Sequence, residues 1–150
     1  MAVDRLRSNL RKHSRIALDT SVFIYQIENN PRYVAATDQV FSYIQQAGHQ
    51  AVTSAITLTE LLVHPYRSRD LQRADEFYAV LATFPNLEWV AVDLHIADTA
   101  AQVRGLHGLK TPDALQAATA LQRQATAFIT NDPAFSRIAG FETLVLDDLL

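Results

Sequence analysis

Apolar positions along the chain fall into two patterns. Ile16-Ala17-Leu18, Ala51-Val52-Thr53, residues 87–92, Ala127-Phe128-Ile129-Thr130 and residues 143–146 are short, nearly all-apolar runs. Such runs fit strands buried on both faces. The longer stretches between them show helical periodicity. Residues 20–29 read as a helix ended by Asn29-Asn30-Pro31, a breaker cluster. Pro31 then opens a helix over 32–47, where Val34, Thr37, Val40, Phe41 and Ile44 share a face and Gly48 follows as the residue just past the end. The next helix presents Leu58, Leu61 and Leu62, contains Glu60, and is closed by Pro65. A helix over 68–84 carries Leu71, Ala74, Phe77, Tyr78 and Leu81, with Asp70 near its start. Another, over 95–106, presents Ile96, Ala100 and Val103. In Lys110-Thr111-Pro112-Asp113, Thr111 reads as N-cap, Pro112 fits the first turn, and Asp113 sits where the helix dipole favours an anion. That helix runs on through Ala117, Ala118, Ala120 and Leu121, and Asn131-Asp132-Pro133 caps a short one.

Strands alternating with helices predict an α/β fold, a three-layer α/β/α sandwich around a central, mostly parallel sheet of about five strands. Right-handed crossovers bring the C-terminal ends of parallel strands to one edge, and open α/β folds bind their ligands there. The first strand ends on Asp19 at that edge, so Asp19 is the first residue whose chemistry needs explaining.

Composition narrows the class. The chain has 150 residues, 49% hydrophobic and 19% charged, with a mean hydropathy of −0.01. These values fit one globular domain and exclude a disordered or membrane-spanning chain. No run reaches the length of a membrane span and no secretory signal follows the basic start, so a cytoplasmic location is expected. The absence of cysteine excludes disulfides, thiolate metal sites and a cysteine nucleophile. A net charge of −3 argues against a uniformly basic nucleic-acid binder. Yet Arg5, Arg7, Arg11, Lys12 and Arg15 are five of the thirteen basic residues. Residues 1–14 therefore read as a basic N-terminal arm, either loose in solvent or touching phosphates.

Acidic residues decide the candidate chemistry. Asp132 lies just beyond the fourth strand and shares Asp19's edge; Asp113 heads the helix feeding that strand. Glu60 interrupts an apolar helical stretch, Ile56-Thr57-Leu58-Thr59-Glu60-Leu61-Leu62. Each acid alone has an ordinary explanation: a turn residue for Asp19, helix starts for Asp113 and Asp132, an i,i+4 neighbour of His64 for Glu60. Together they imply more, because carboxylates crowded in one cleft raise each other's pKa unless a cation neutralises them. Without cysteine, Mg²⁺ or Mn²⁺ are the natural ions for an oxygen donor set. The five histidines show no metal-ligand spacing and read as surface or packing residues.

Four segments, Leu18-Asp19-Thr20-Ser21, Thr59-Glu60-Leu61-Leu62, Pro112-Asp113-Ala114-Leu115-Gln116-Ala117-Ala118-Thr119-Ala120 and Thr130-Asn131-Asp132-Pro133-Ala134-Phe135, resemble in order and spacing the signature segments of PIN-domain nucleases, most closely the VapC-type ribonuclease toxins of toxin and antitoxin pairs. The resemblance covers nearly all of residues 15–150. It implies a metal-dependent endoribonuclease with Asp19, Glu60, Asp113 and Asp132 as the acidic, metal-binding cluster. Thr130 would be the hydroxyl residue beside the last acid and Ser21 the small polar residue after the first. It further implies a Mg²⁺ or Mn²⁺ cofactor, an RNA substrate, a cognate antitoxin and a homodimer. Gln116 is a departure, standing where relatives often carry an apolar residue; the arm over 1–14 is another. Arg67, Arg69, Arg73 and Lys110 are the candidate RNA contacts around an otherwise acidic cleft. A phosphate-accepting α/β domain is disfavoured, since Asp19-Thr20-Ser21 lacks an adjacent second acid and no lysine follows Lys110. A housekeeping PIN nuclease and a PIN-like module that binds without cutting stay open.

Overall fold

The structure, a computed structural model, describes residues 2–150, with side chains from Asp4 onward. Five parallel strands, β1 (Arg15–Leu18), β2 (Gln50–Ser54), β3 (Leu87–Val90), β4 (Ala127–Thr130) and β5 (Glu142–Val145), form one sheet in the order β3-β2-β1-β4-β5. Every pairing is parallel, as the short apolar runs predict. β1 lies at the centre, and the strand order reverses on either side of it, which is where an open sheet leaves a crevice at its C-terminal edge.

Alternation along the strands feeds two cores. Ile16, Leu18, Ala51, Ala127 and Ile129 face one layer, packed by α1 (Ala2–Leu10), α2 (Thr20–Ile27), α3 (Val34–Ile44), α4 (Ala55–Arg67), α5 (Leu71–Ala82) and α8 (Leu146–Leu149). Ala17, Val52 and Phe128 face the other, packed by α6 (Leu94–His107), α7 (Thr111–Gln122) and the 3-10 turn Pro133–Arg137. The small face of α7, Ala114, Ala117, Ala118 and Ala120, is wholly buried and lets that helix approach the sheet closely. Among the described residues no helix is long and apolar enough to cross a membrane.

Several expectations shift. The arm over 1–14 is neither loose nor simply extended: 2–10 form α1, and Leu6 and Leu10, one helical turn apart, are fully buried in the core shared with α3 and α8. Met1 lies outside the described residues. The second predicted helix becomes regular only at Val34, because Asn30 Oδ1 accepts the N–H groups of Arg32 (2.9 Å) and Tyr33 (3.3 Å) and holds 31–33 as a turn. Pro65 does not close α4, which continues to Arg67; its carbonyl accepts the Asp70 N–H at 2.9 Å. Leu71 and Tyr78, expected in the core, are more than half exposed. Their face of α5 points outward because the helix buries only Ala74 and Leu81.

Candidate active site

At the C-terminal edge, Asp19 leaves β1 with its backbone N–H still donating to Ile129 O at 3.0 Å, so the sheet fixes where its side chain starts. It is the N-cap of α2: Oδ1 accepts the Thr20 N–H at 2.8 Å, satisfying one of the donors a helix start leaves open. Oδ2 accepts the hydroxyl of Thr130, at the end of the neighbouring strand β4, at 2.7 Å. Thr130 Oγ1 in turn accepts the backbone N–H of Asp132 at 3.0 Å. One buried hydroxyl thus sets Asp19 and the chain around Asp132 in a common frame. Asp132 caps the 3-10 turn, accepting from Ala134 N–H at 2.9 Å, and is exposed.

Asp113 occupies the first turn of α7, half-buried, as its sequence position predicts. The N-cap is Lys110, with Thr111 already helical and making no capping bond. Glu60 projects from the second turn of α4 and is exposed, but its Oε1 accepts the hydroxyl of Thr20 at 2.8 Å. Thr20 follows Asp19, so the first two acids are joined through adjacent residues.

The four carboxylates sense one another. Burial raises the Asp19 carboxyl from the usual range to about 6 against the opposing pull of its hydrogen bonds from Thr130 and Thr20, and the charges of Asp113 and Glu60 push the same way as burial. Asp113 is raised too, first by burial, then by Asp132 and Glu60, while Lys110 pulls it back. Among the described residues, no group of three or more His, Asp or Glu is close enough to hold an ion as it stands. The donor set is all oxygen, and the buried hydroxyl of Ser21, two residues from Asp19, has no hydrogen-bond partner. Both features fit a hard divalent cation or its bound water.

Of the candidate RNA contacts, Lys110 stands where its charge reaches Asp113, and Arg73 lies over the ring of Phe77 at 5.0 Å. Arg67 ends α4, and Arg69 adopts φ 57 in the connection to α5. Arg73 also borders a small apolar hollow beside Glu60, with Ile24, His64 and Phe77.

Sequence reasoning missed the polar network behind Glu60. Gln116, buried in α7, donates from Nε2 to Thr57 Oγ1 at 2.7 Å and to Thr20 Oγ1 at 3.2 Å. Thr57 and Thr53 Oγ1 atoms lie 2.8 Å apart, and Thr53 donates to Leu18 O at 2.9 Å. The available signal was the run of hydroxyls at 53, 57 and 20 together with a glutamine in an otherwise small, apolar helix face.

A sequence model of the PIN domain matches residues 16–141. No match was found among curated proteins. Solved structures similar in fold include DNA-bound VapBC from Salmonella typhimurium, at 24% identity with a TM-score of 0.67 over 88% of this chain and 98% of that one. VapBC2 from Rickettsia felis, bound to a DNA fragment from its promoter, is 18% identical, with a TM-score of 0.67 over 87% and 98%. FitAcB from Neisseria gonorrhoeae is 24% identical, with a TM-score of 0.63 over 87% and 97%. The order of the strands, the helices on both faces and the match over 16–141 agree: the chain belongs to the PIN domain family.

Proposed function

We propose that the protein is a metal-dependent endoribonuclease that hydrolyses RNA phosphodiester bonds at the C-terminal edge of the sheet, and that it acts as the toxin of a toxin and antitoxin pair. The observation that carries the catalytic part is the convergence of Asp19, Glu60, Asp113 and Asp132, with the carboxyls of Asp19 and Asp113 both raised by burial and by neighbouring acids. Asp19 and Asp113 would hold a Mg²⁺ or Mn²⁺ ion, with Asp132 and Glu60 completing the set directly or through water. Such an ion supplies a water of lowered pKa and stabilises charge on the phosphate. Thr130 holds Asp19 in one orientation through its hydroxyl, Thr20 does the same for Glu60, and Lys110 offers a positive charge beside Asp113 for the phosphodiester backbone.

The toxin role rests on fold likeness: the similar solved structures include a toxin–antitoxin complex and VapBC complexes. It brings a cognate antitoxin as partner and a homodimer as the assembly. The exposed apolar side chains of Leu94, Leu106, Leu71 and Val80 are consistent with protein partners. A module that binds without cutting is the competing reading.

The test is cleavage of labelled RNA with Mn²⁺ or Mg²⁺, with and without EDTA, by the wild type and by Asp19→Asn and Asp113→Asn. Metal-dependent cleavage lost in both variants is expected. Equal cleavage by all three proteins, or none by the wild type, would remove the catalytic reading. Growth arrest on expression, relieved by the product of an adjacent small gene, tests the toxin role; normal growth with no such neighbour points to a housekeeping nuclease.

A further inference from the structure

The network behind Glu60 has a direction. Thr53 gives its only hydroxyl proton to the Leu18 carbonyl, so Thr57 must donate to Thr53 across their 2.8 Å contact. Thr57 then has only lone pairs to offer Gln116, and accepts from its amide at 2.7 Å. The second amide proton goes to Thr20 at 3.2 Å. Thr20 has one proton of its own and two acceptors within reach, Thr57 Oγ1 at 3.2 Å and Glu60 Oε1 at 2.8 Å. Thr57 is already engaged by Gln116, so the proton goes to the carboxylate, the stronger acceptor. With the amide oriented this way each of these protons has a place. If the amide were turned over, its oxygen would compete with Glu60 for the Thr20 proton.

We infer that Gln116 is a positioning residue: through the Thr20 hydroxyl it holds the exposed Glu60 carboxylate toward Asp19. Gln116, Thr20, Thr53 and Thr57 are all buried, and they join β2, α2, α4 and α7, the last three carrying Glu60, Asp113 and the residues after Asp19. A purely structural junction could be packed with apolar side chains throughout, because replacing every partner of a buried polar set by apolar groups of the same shape is close to neutral. What an apolar residue cannot do is occupy Thr57 and leave Thr20 a single acceptor. Glu60 sits two turns into its helix with an exposed side chain, and among the described residues the Thr20 hydroxyl is its hydrogen-bond donor.

The inference rests on the ribonuclease reading for its catalytic consequence, but not for the coupling itself. Gln116→Met removes both donors at similar size; Gln116→Glu substitutes an acceptor that takes the Thr20 proton away from Glu60. Each is expected to lower kcat about 10- to 100-fold, the range for groups that orient a ligand of the reacting centre, with KM little changed. Thr20→Val should reproduce the loss and Thr20→Ser, which keeps the hydroxyl, should recover most of it. In a Glu60→Ala background, Gln116→Met should cost less than about twofold further in kcat, because effects that pass through one residue do not add. Urea midpoints measured on the same four proteins should be non-additive as well, and that coupling should vanish in Thr20→Val. A kcat loss that multiplies with Glu60→Ala, an active Gln116→Glu enzyme, or a Thr20→Ser as impaired as Thr20→Val would each overturn the inference. A wild type that does not cleave RNA would remove the ribonuclease reading alone, since the urea cycle needs no substrate.

Discussion

The two edges of the sheet are built on opposite rules. At the N-terminal edge every named polar group has a partner of complementary character. His13 bridges Thr126 Oγ1 (2.7 Å) and Glu142 Oε2 (3.1 Å), and its carbonyl takes the Tyr43 hydroxyl at 2.5 Å. Arg15 donates to Arg123 O at 2.9 Å, Arg123 pairs with Glu88 at 3.1 Å, and Asn86 donates to Ile44 O at 2.9 Å. At the C-terminal edge the chain gathers four carboxylates, half-buries two, and leaves them to repel. The first edge stabilises; the second stores unfavourable charge, the arrangement expected where function is set against stability.

Asp19→Asn probes that contrast hardest. Cleavage is expected to fall by at least about 10²-fold, the order found when one group that stabilises transition-state charge is removed. The same variant should be more stable than the wild type at pH 7. A carboxyl raised in the folded state to about 6 from 3.8 binds its proton more tightly folded than unfolded. Its charge therefore destabilises the fold above pH 6, and the penalty is relieved as pH falls from about 6 towards 4. Asparagine carries no such charge and keeps an acceptor for the Thr20 N–H. Its advantage should reach about 1–3 kcal/mol at pH 7 and shrink below pH 6. Urea titrations of both proteins at pH 5 and 7.5 measure this; a less stable variant at pH 7.5 would mean the functional edge carries no stored strain of charge.

Thr130→Val comes next. It removes the hydroxyl that Asp19 accepts at 2.7 Å and that in turn accepts from Asp132 N–H. One of the influences that lowers the Asp19 carboxyl is lost, so its ionisation should move further up. Activity should drop about 10-fold or more, and the acid limb of its pH profile should shift to higher pH.

His13→Ala sets the opposite edge against these. It removes a buried ring together with its contacts to the exposed Thr126 and Glu142, which is expected to cost about 0.5–3 kcal/mol of stability while kcat of the folded protein stays unchanged. A loss of activity without a loss of stability would show that the two edges are not separable.

The same split explains what the sequence made legible. Asp19, Asp113 and Asp132 were readable because each sits at a strand end or helix start, where local geometry alone decides position. Glu60 was readable only as an oddity in an apolar helix, since its placement depends on Thr20 and, behind it, Gln116, residues 40 and 56 positions away. The five strands followed from short apolar runs set between helical stretches, with β1, β2 and β4 buried almost throughout. The helix at the N-terminus was obscured for a different reason: its two buried leucines, Leu6 and Leu10, give too brief a period to outweigh five basic neighbours. Leu71 and Tyr78 misled because helical spacing marks a face without saying which of two apolar faces meets the sheet.

The smallest effect expected is at a pair of ion pairs, one on each edge. Arg32 meets Asp147 at 3.2 Å beside the C-terminal edge, with side chains 68% and 43% exposed; Arg123 meets Glu88 at 3.1 Å on the other, at 38% and 39%. Exposed pairs are worth about 0–1 kcal/mol and weaken with salt. Arg32→Ala should therefore change stability by less than about 0.5 kcal/mol, and by nothing measurable in high salt, because Asp147 keeps the Tyr33 hydroxyl at 2.7 Å. Arg123→Ala should cost more, since the Arg123 side chain is 38% exposed against 68% for Arg32 and so loses more packing when truncated. Paired urea titrations at low and high ionic strength rank the two. If Arg32→Ala proved the costlier, the C-terminal edge would be held by its rim of ion pairs rather than by the strands beneath it, and the division between the two edges would have to be redrawn.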